Sequence, residues 1–532
     1  MHRITRALAR GLIVASLLGS ASGAALAETV FNKGNGAEPS TIDPHRMEGI
    51  PEANIAAELF EGLMTYAANG DPVPGVAESW SASDDGLTYT FKLRDNAKWS
   101  DGTPVTAGDF VYSWRRLVDP KTGSPYAYYL DAVVGAKEVR NGAKPAEEMG
   151  IRAVDDRTFE VKLVAPTPYF ISSLVHQSTY PVNKANVEKF GTDFLKPGNL
   201  VSNGAYMLAA AVPQGYIKLV RNPAFHDAAN VRIDTVMMYP TEDVDSELQR
   251  YKAGELDVTS DLPSPQIPSL RKEIPDQIRI TPRLAIYFYV FNLTHEPWKS
   301  SPALRQALSL AVDRDVLISK VTQADQIPAY TFVPPGTFNY PGWEPDAAKW
   351  SQAERDAKAK ELYAAAGYGP DKPLTMEITY NTSENHKKIA VAIAAMWKQK
   401  LGVDVRLQNQ EWATFQDTRN KKAFSDMARH GWIGDYNDAY GFLQLQLSDV
   451  GEQNTSGYVS PEFDSLMAQA AKAADPAQRG QLMQQAEKVM ITDMPVLPLY
   501  FYTSKHALSP AVKGWVDNVQ DFHLARWMSI ER

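Results

Sequence analysis

The hydrophobic pattern of this chain changes along its length, and the change limits the folds that it can adopt. The N-terminal half contains short alternating segments such as Leu87–Leu93 and Arg157–Leu163, which are separated by turns rich in Gly, Pro and Asp. Alternation with a period of two residues is typical of half-buried strands. From Ser301 onward, helical and strand patterns follow one another, and this order predicts an α/β region with a largely parallel sheet.

Local capping signals set the helix boundaries of the C-terminal half. Ser301-Pro302 combines an N-cap with proline at the first helical position, and Ser351 with Glu354 forms a capping box. The first of these helices should bury Leu304, Leu308, Ala311 and Val312, and the second should stop at Gly367. The remaining predicted elements are strands at Leu374–Tyr380, Val403–Leu407 and Met427–Trp432, and helices at Ser383–Gly402, at Glu411–Lys421 and after Ser460 and Asp475.

The N-terminus has the order of a secretory signal. Basic residues come first, the apolar run 11–23 follows, and Ala25-Leu26-Ala27 supplies small residues at a cleavage site. A membrane anchor is the alternative, but no later stretch stays apolar for the roughly 20 residues that a bilayer span needs. We therefore expect residues 1–27 to be a signal peptide and the mature protein not to be membrane-anchored.

The chain contains no cysteine. Lipid attachment to a cysteine, disulfides and thiolate metal sites are therefore excluded. An exported chain of this kind suits the periplasm of a Gram-negative cell, and extracellular release is the alternative.

The charge and the length of the chain further limit its possible partners and its domain organisation. The formal net charge of −9 disfavours nucleic acid as a partner, since nucleic acid attracts basic patches. A chain of 532 residues is too long for one ordinary core, so two or three lobes are expected.

Catalytic motifs are missing from the sequence. There is no Gly-x-Ser-x-Gly, no His-Glu-x-x-His and no phosphate-binding loop ending in Gly-Lys-Ser/Thr. Two fragments similar to penicillin-binding motifs, 269–272 and 121–123, stand in the reverse chain order. The nine histidines include no pair at helical ligand spacing. We expect no catalytic residues, no metal and no cofactor.

One long string of residues is specific enough to indicate a family. The segments 75–80, 87–94 and 99–114 predict a hairpin, an Asp-Gly turn and a helix capped at Thr106. As a string, the same residues resemble the solute-binding proteins of peptide and nickel ABC importers. Further matches cover nearly all of the mature chain, and they lie at 42–49, 59–63, 203–206, 250–257, 410–412 and 431–432.

The branch with the strongest resemblance is that of the oligopeptide and murein-peptide binders of Gram-negative bacteria. It implies an α/β, three-lobe periplasmic binding protein with mixed sheets and a hinged cleft between two large lobes. Lobe I is expected at 28–61, 186–285 and 503–532, lobe II at 62–185, and lobe III at 286–502. Hinge strands are expected near residues 285 and 502, with the ligand between lobes I and III.

The segment Arg429–Asn437 carries opposite charges on either side of Gly431-Trp432. Its residues alone allow two interpretations: an internal salt bridge beside an aromatic plug, or contacts to the two ends of a peptide. The resemblance favours the second interpretation and implies that Asp435 pairs with the α-amino group of the ligand. It also implies that Arg429, Arg419 and His386 meet ligand carboxylates, depending on peptide length.

The same resemblance implies the rest of the site. The backbone of Gly431, Trp432 and Ile433 should pair with the peptide as an added strand. Glu48, Tyr126, Trp412 and Tyr502 match cleft positions, although core packing is the alternative for each aromatic residue. For His386 the alternative is an exposed position on a helix.

This chain also departs from the family pattern. Ala285 and Ile433 occupy positions that a disulfide joins in some relatives, His430 replaces a small residue, and Val290 stands where relatives can have an acid. The ligand class therefore stays open between general oligopeptides and a murein tripeptide, an opine, chelated nickel or a sugar. A peptide hydrolase is the enzyme alternative. The expected partners are a short peptide and an inner-membrane ABC permease with its ATPases, and the protein is expected to be a monomer.

Overall fold

Eighteen strands in five sheets form the framework of the computed structural model, which describes residues 28–167, 169–473 and 475–532. The predicted signal peptide lies outside the described residues. The strands are β1 (Val30–Gly34), β2 (Met64–Tyr66), β3 (Pro72–Pro74), β4 (Ala77–Ala82), β5 (Thr88–Leu93), β6 (Ile151–Asp155), β7 (Thr158–Lys162), β8 (Tyr206–Val212), β9 (Tyr216–Arg221), β10 (Thr235–Tyr239), β11 (Ile278–Phe291), β12 (Ile327–Pro328), β13 (Thr375–Asn381), β14 (Asp404–Gln410), β15 (Met427–Ile433), β16 (Val496–Ala507), β17 (Val512–Lys513) and β18 (Ser529–Ile530).

Sixteen α-helices in the same residues cover these sheets. They are α1 (Ile50–Leu59), α2 (Ala107–Val118), α3 (Ala136–Arg140), α4 (Phe170–Ser173), α5 (Lys184–Phe190), α6 (Val244–Lys252), α7 (Ile267–Glu273), α8 (Pro302–Ala311), α9 (Arg314–Val316), α10 (Asp346–Lys349), α11 (Gln352–Ala365), α12 (Glu384–Leu401), α13 (Trp412–Asn420), α14 (Tyr440–Leu443), α15 (Pro461–Lys472) and α16 (Pro476–Asp493).

Two four-stranded sheets lie in the N-terminal half. The first sheet has the order β1-β10-β9-β8, and the second has the order β4-β5-β7-β6. In the second sheet, Phe91 of β5 and Phe159 of β7 face each other in register and are fully buried beneath α2. The alternating segments of the sequence therefore form the expected half-buried strands.

The third sheet has six strands in the order β12-β16-β11-β15-β13-β14. Only the pairs β13/β14 and β13/β15 are parallel, whereas β11/β15, β11/β16 and β12/β16 are antiparallel. The expectation of a largely parallel sheet is wrong. The alternation of helices and strands describes β13–β15 correctly, but the long strands β11 and β16 join the same sheet and run antiparallel.

The strands β11 and β16 connect the side of the molecule that contains the first sheet to the side that contains the third sheet. They pair over almost their whole length, from Ile278 opposite Ala507 to Val290 opposite Val496. Both are rich in β-branched and aromatic residues, which favour extended backbone. Their register shifts between Pro282 and Ile286, next to the predicted hinge position 285.

Most capping signals act as predicted. Ser301, Ser351, Ser383, Ser460 and Asp475 each accept a hydrogen bond from a backbone N–H in the first turn of their helices. Thr106 and Asp109 form a capping box at the start of α2. The four apolar residues predicted for the buried face of α8 and its end are fully buried.

Among the described residues, no helix is both long enough and apolar enough to cross a membrane.

Candidate functional site

A cavity of ≈ 370 Å³ lies between the first and third sheets. This volume falls within the roughly 300–1,000 Å³ that is usual for small-ligand sites. One wall comes from the end of β1, the start of α1 and the segment 258–261, and the other comes from β15, α13 and the loop before α12. All eleven predicted site residues line this cavity: Glu48, Tyr126, His386, Trp412, Arg419, Arg429, Gly431, Trp432, Ile433, Asp435 and Tyr502.

One edge of β15 faces the cavity without a partner strand. On one side β15 pairs with β11 along its whole length, from Met427 to Ile433. On the other side β13 pairs only with Met427 and Ala428. Within the described residues, the stretch from Arg429 to Ile433 therefore offers backbone groups to an added strand.

Asp435 lies just beyond the C-terminal end of this open edge. Its side chain is 11% exposed, and burial raises its pKa to about 8. The contact of its Oδ1 with His176 Nε2 is long, at 3.6 Å, and its Oδ2 has no hydrogen-bond partner among the described residues. A buried carboxylate in this situation is stabilised by an incoming cation that can donate hydrogen bonds.

Arg429 lies at the other end of the open edge. Its guanidinium donates a 2.8 Å hydrogen bond to the Tyr502 hydroxyl and a 3.4 Å bond to Asn381, and it stacks over the Tyr287 ring at 4.9 Å. No carboxylate of the described residues lies within salt-bridge distance of it, and its Nε has no partner there. The group is thus a half-buried cation that can receive a carboxylate.

Arg419 is already paired. It forms a 2.5 Å salt bridge with Glu48, and Asn420 donates a 2.6 Å hydrogen bond to the same carboxylate. The side chains of Arg419 and Glu48 are 4% and 11% exposed. The pair joins α13 to the segment before α1, so it crosses the cavity from one wall to the other.

His386 is half-buried at the start of α12 and is not the exposed helix residue of the alternative interpretation. Its Nδ1 lies 3.3 Å from the Tyr287 hydroxyl. Burial, together with the positive charges of Arg429 and Lys505, holds its pKa well below the usual value. His386 therefore faces the cavity as a neutral imidazole that can donate or accept a hydrogen bond.

The aromatic residues divide between cavity and core. Trp412 is half-buried, and its indole N–H has no hydrogen-bond partner among the described residues. Trp432 is buried and donates from its indole to the Gly441 carbonyl at 2.9 Å, which is core packing. Tyr126 is 5% exposed and packs against His176 in a tilted arrangement with ring centroids 4.4 Å apart.

The three departures from the family pattern are all well packed. Ala285 and Ile433 are direct cross-strand partners, as the resemblance implies for the disulfide positions. His430 is buried with its ring stacked on Phe288 at 4.7 Å, and burial lowers its pKa well below the usual value. Val290 is fully buried within β11.

Sequence reasoning missed a second group of polar residues along the cavity. His506 and His523 both contact Oδ1 of Asp521, at 2.8 and 3.1 Å, and Arg283 lies 3.2 Å from its Oδ2. His506 also bonds the Thr259 carbonyl through Nδ1, so both of its ring nitrogens face acceptors and both carry protons. This arrangement is an ion-pair network, with Asp521 holding the pKa of His506 above its usual value.

His176 was also missed. It lies on the wall opposite Asp435, and no spacing in the sequence connects two residues that are this far apart in the chain. His176 and Asp435 meet only because the side of the molecule that contains the second sheet packs against the side that contains the third sheet.

Comparison with known proteins gives consistent results. The model for "Bacterial extracellular solute-binding proteins, family 5 Middle" matches residues 71–454. The chain is 44% identical over 528 residues to the periplasmic oligopeptide-binding protein OppA of Salmonella typhimurium, covering 97% of this chain and 96% of that protein.

Comparison with solved structures shows the fold and how the two sides of the cleft are arranged. The Escherichia coli murein tripeptide binding protein MppA aligns with a TM-score of 0.93 at 40% identity, covering 95% of this chain and 99% of that one. The unliganded open form of MppA aligns over 95% and 98% of the two chains with the same 40% identity, but its TM-score is only 0.68. The expected α/β binding-protein fold with mixed sheets is confirmed. Because the identity is unchanged, the lower score indicates that the two sides of the cleft are arranged here unlike that open form.

Proposed function

The chain belongs to the bacterial extracellular solute-binding proteins of family 5, and we propose that it is a periplasmic receptor for short peptides. The observation that carries this proposal is the combination of two ionisable groups in the cavity wall with one open strand edge. Asp435 lies beyond one end of the edge and Arg429 lies at the other. An extended peptide with free termini carries the opposite charges at its own two ends.

The chemistry of such a complex follows from these groups. The α-ammonium of the peptide meets Asp435, its backbone pairs with Gly431–Ile433, and its carboxylate meets Arg429. Main-chain hydrogen bonds to the peptide do not depend on the identity of its side chains. Peptide side chains would then project into pockets where water can bridge polar groups at a low free-energy cost, which allows many sequences.

The delivery step belongs to the same proposal. A receptor of this family hands its ligand to an inner-membrane ABC permease with its ATPases, and closure of the cleft distinguishes the loaded receptor. The leader-like residues 1–27 and the periplasmic relatives support the location. Incubation with peptides followed by mass spectrometry should show binding without cleavage, and time-dependent cleavage that a cavity mutation abolishes would make the protein an enzyme.

The direction of the peptide can be tested with a cycle of two proteins and two ligands. Titration calorimetry would compare the wild type and Asp435→Asn, each with a tripeptide and with its N-acetyl derivative. Acetylation removes the ammonium, so we expect a loss of about 2–5 kcal/mol in the wild type and a much smaller loss in the variant. A coupling energy near zero in a folded variant would show that Asp435 does not bind the amino terminus of the peptide.

A second ligand, murein tripeptide, is favoured by the similarity to MppA. It shares a free amine with ordinary peptides but carries additional carboxylates. Competition between murein tripeptide and trialanine for the same protein distinguishes a general peptide receptor from a receptor specific for murein tripeptide. A general receptor should bind both within about tenfold, or ~1.4 kcal/mol.

A further inference from the structure

The hydrogen bonds of His176 determine which of its ring nitrogens carries a proton. The backbone N–H of Ser178 donates to Nδ1 at 3.3 Å, and the Ser178 hydroxyl lies 2.8 Å from the same atom. A nitrogen that accepts from a backbone N–H cannot itself be protonated. The proton of the neutral ring is therefore on Nε2, which is the atom that faces Asp435 Oδ1 at 3.6 Å.

The surroundings keep the ring in place and uncharged. His176 is 6% exposed and lies between the rings of Tyr126 and Tyr129, with centroid distances of 4.4 and 4.7 Å. Burial lowers its pKa to about 3. The other titratable groups that face Asp435 are tyrosines whose pKa values are raised, first of all by burial: Tyr66, Tyr126, Tyr128, Tyr129 and Tyr436.

We propose that His176 is a positioning residue for the ammonium anchor: its Nε2–H holds the Asp435 carboxylate while adding no positive charge that would compete with the ligand. This inference rests on the proposed function, in which Asp435 receives the peptide amine. A lysine or arginine at this place would neutralise the carboxylate before the ligand arrived. A neutral N–H donor stabilises the ionised carboxylate through one oxygen and leaves the other oxygen for the ligand ammonium.

The distances agree with this division of roles. At 3.6 Å the contact is longer than the 2.7–2.9 Å of a charge-assisted hydrogen bond, so a shift of less than about 1 Å completes it. Oδ2, which has no partner among the described residues, is the oxygen left for the ammonium. His176 and Asp435 come from opposite walls of the cavity, so their contact exists only when the two walls are close.

Binding of trialanine and N-acetyl-trialanine between pH 4 and 8 tests the assignment. We expect His176→Leu to weaken trialanine binding about tenfold at pH 7 and to leave the acetylated peptide unchanged. Without the donor, ionised Asp435 is less stable, so the acid limb of the binding profile should move to higher pH. His176→Gln should restore both properties, because its side-chain amide can supply an N–H in a similar place.

His45→Gln is the matched control, since His45 is another fully buried, neutral histidine, bonded to the Tyr180 carbonyl at 2.9 Å and outside the cavity. It should change thermal stability without moving the acid limb. If His176→Leu weakens both peptides equally, or if the acid limb stays in place, the positioning role is overturned. If the wild type itself does not distinguish the two peptides, or if Asp435→Asn distinguishes them as strongly as the wild type does, the proposed function fails instead.

Discussion

Two buried aspartates that lie close together in the chain, Asp435 and Asp438, have opposite surroundings. Asp438 forms two hydrogen bonds with Arg479, at 2.6 and 2.8 Å, and the pair is almost completely buried. Asp435 has no cation beside it among the described residues, and its pKa rises to about 8. A satisfied ion pair supports the fold, whereas ionising a carboxyl group that has no cationic partner is a cost that a ligand ammonium can offset.

The free energy of unfolding separates these two roles. Asp438→Ala leaves Arg479 buried and unpaired, so we expect a loss of about 3–5 kcal/mol. Asp435 has a raised pKa in the folded protein, so its stabilising contribution is present below the unfolded pKa and is lost as the pH rises towards 8. Asp435→Asn should therefore raise the free energy of unfolding at pH 7, by at least about 1 kcal/mol.

Urea unfolding of the ligand-free proteins at pH 7 measures both changes. A similar loss for both variants would show that Asp435 is a structural residue, in conflict with an anchoring role.

At the carboxylate end, Arg429 is expected to bind through its charge. Arg429→Gln should weaken binding of a tripeptide by about 2–5 kcal/mol, because the carboxylate would be buried without a cation. Peptides with a C-terminal amide have already lost that interaction, so the variant should bind them almost as the wild type does. Calorimetry with the two ligands checks this, and equal losses would assign Arg429 to the packing around Tyr287 and Tyr502.

At the scale of elements, the open edge of β15 depends on a residue without a side chain. A Cβ added at Gly431 would lie 2.7 Å from the Tyr502 hydroxyl and 3.2 Å from Arg429 Nη2. These groups would have to move, and they are the same groups that hold the carboxylate end of the proposed site. The glycine thus keeps both the edge and the cation accessible.

Gly431→Ala should therefore weaken peptide binding, about tenfold or ~1.4 kcal/mol, while the melting temperature changes little. Gly369→Ala is the matched control, because a Cβ there meets no atom within 4 Å. Calorimetry and thermal unfolding of both variants give the comparison. Unchanged affinity in Gly431→Ala would mean that the peptide does not approach this part of β15.

Local signals in the sequence predicted the elements better than their assembly. The caps at Ser351 and Ser383 depend on contacts within one turn, so the sequence alone identifies them. The direction of β11 within the third sheet depends on pairing with β15 and β16, which begin more than a hundred residues later, and no local pattern contains that information.

The candidate site shows the same division. Arg429 and Asp435 stand in one short motif, so the resemblance identified them. The Glu48–Arg419 ion pair and the His176–Asp435 contact join residues that are hundreds of positions apart, and they appear only when both walls are assembled.

At the scale of the whole molecule, both aromatic and polar groups meet across the cleft, and Tyr169 stacks on Tyr436 with ring centroids 5.0 Å apart. Glu48 bonds Arg419, the Tyr66 hydroxyl donates to the Asp435 carbonyl at 3.1 Å, and His176 faces the Asp435 carboxylate. The long strands β11 and β16 run continuously between the two sides. Such an arrangement suits hinge closure, because a small bend in two strands can move the two sides apart.

Closure of the ligand-free protein should consequently depend on pH through Asp435. Burial in the closed arrangement raises the pKa of this carboxyl group from 3.8 to about 8, and contact with water in an open arrangement would return it towards the ordinary value. Closure therefore takes up a proton between these two values: it is favoured as the pH falls and loses this contribution as the pH rises through about 8.

Small-angle scattering without ligand should show a smaller radius of gyration at pH 5 than at pH 8. In the closed arrangement burial lowers the pKa values of His45, His176 and His523 to about 4, 3 and 4. A histidine that opening exposes to water, such as His176, takes up a proton in the open form and opposes closure at low pH, but its pKa changes less than that of Asp435. Asp435→Asn should remove most of the pH dependence, and a saturating peptide should close the wild type at pH 7, where the ligand ammonium replaces the proton. An equal change in radius for the wild type and Asp435→Asn would assign the pH dependence to another group, such as the His506–Asp521 network.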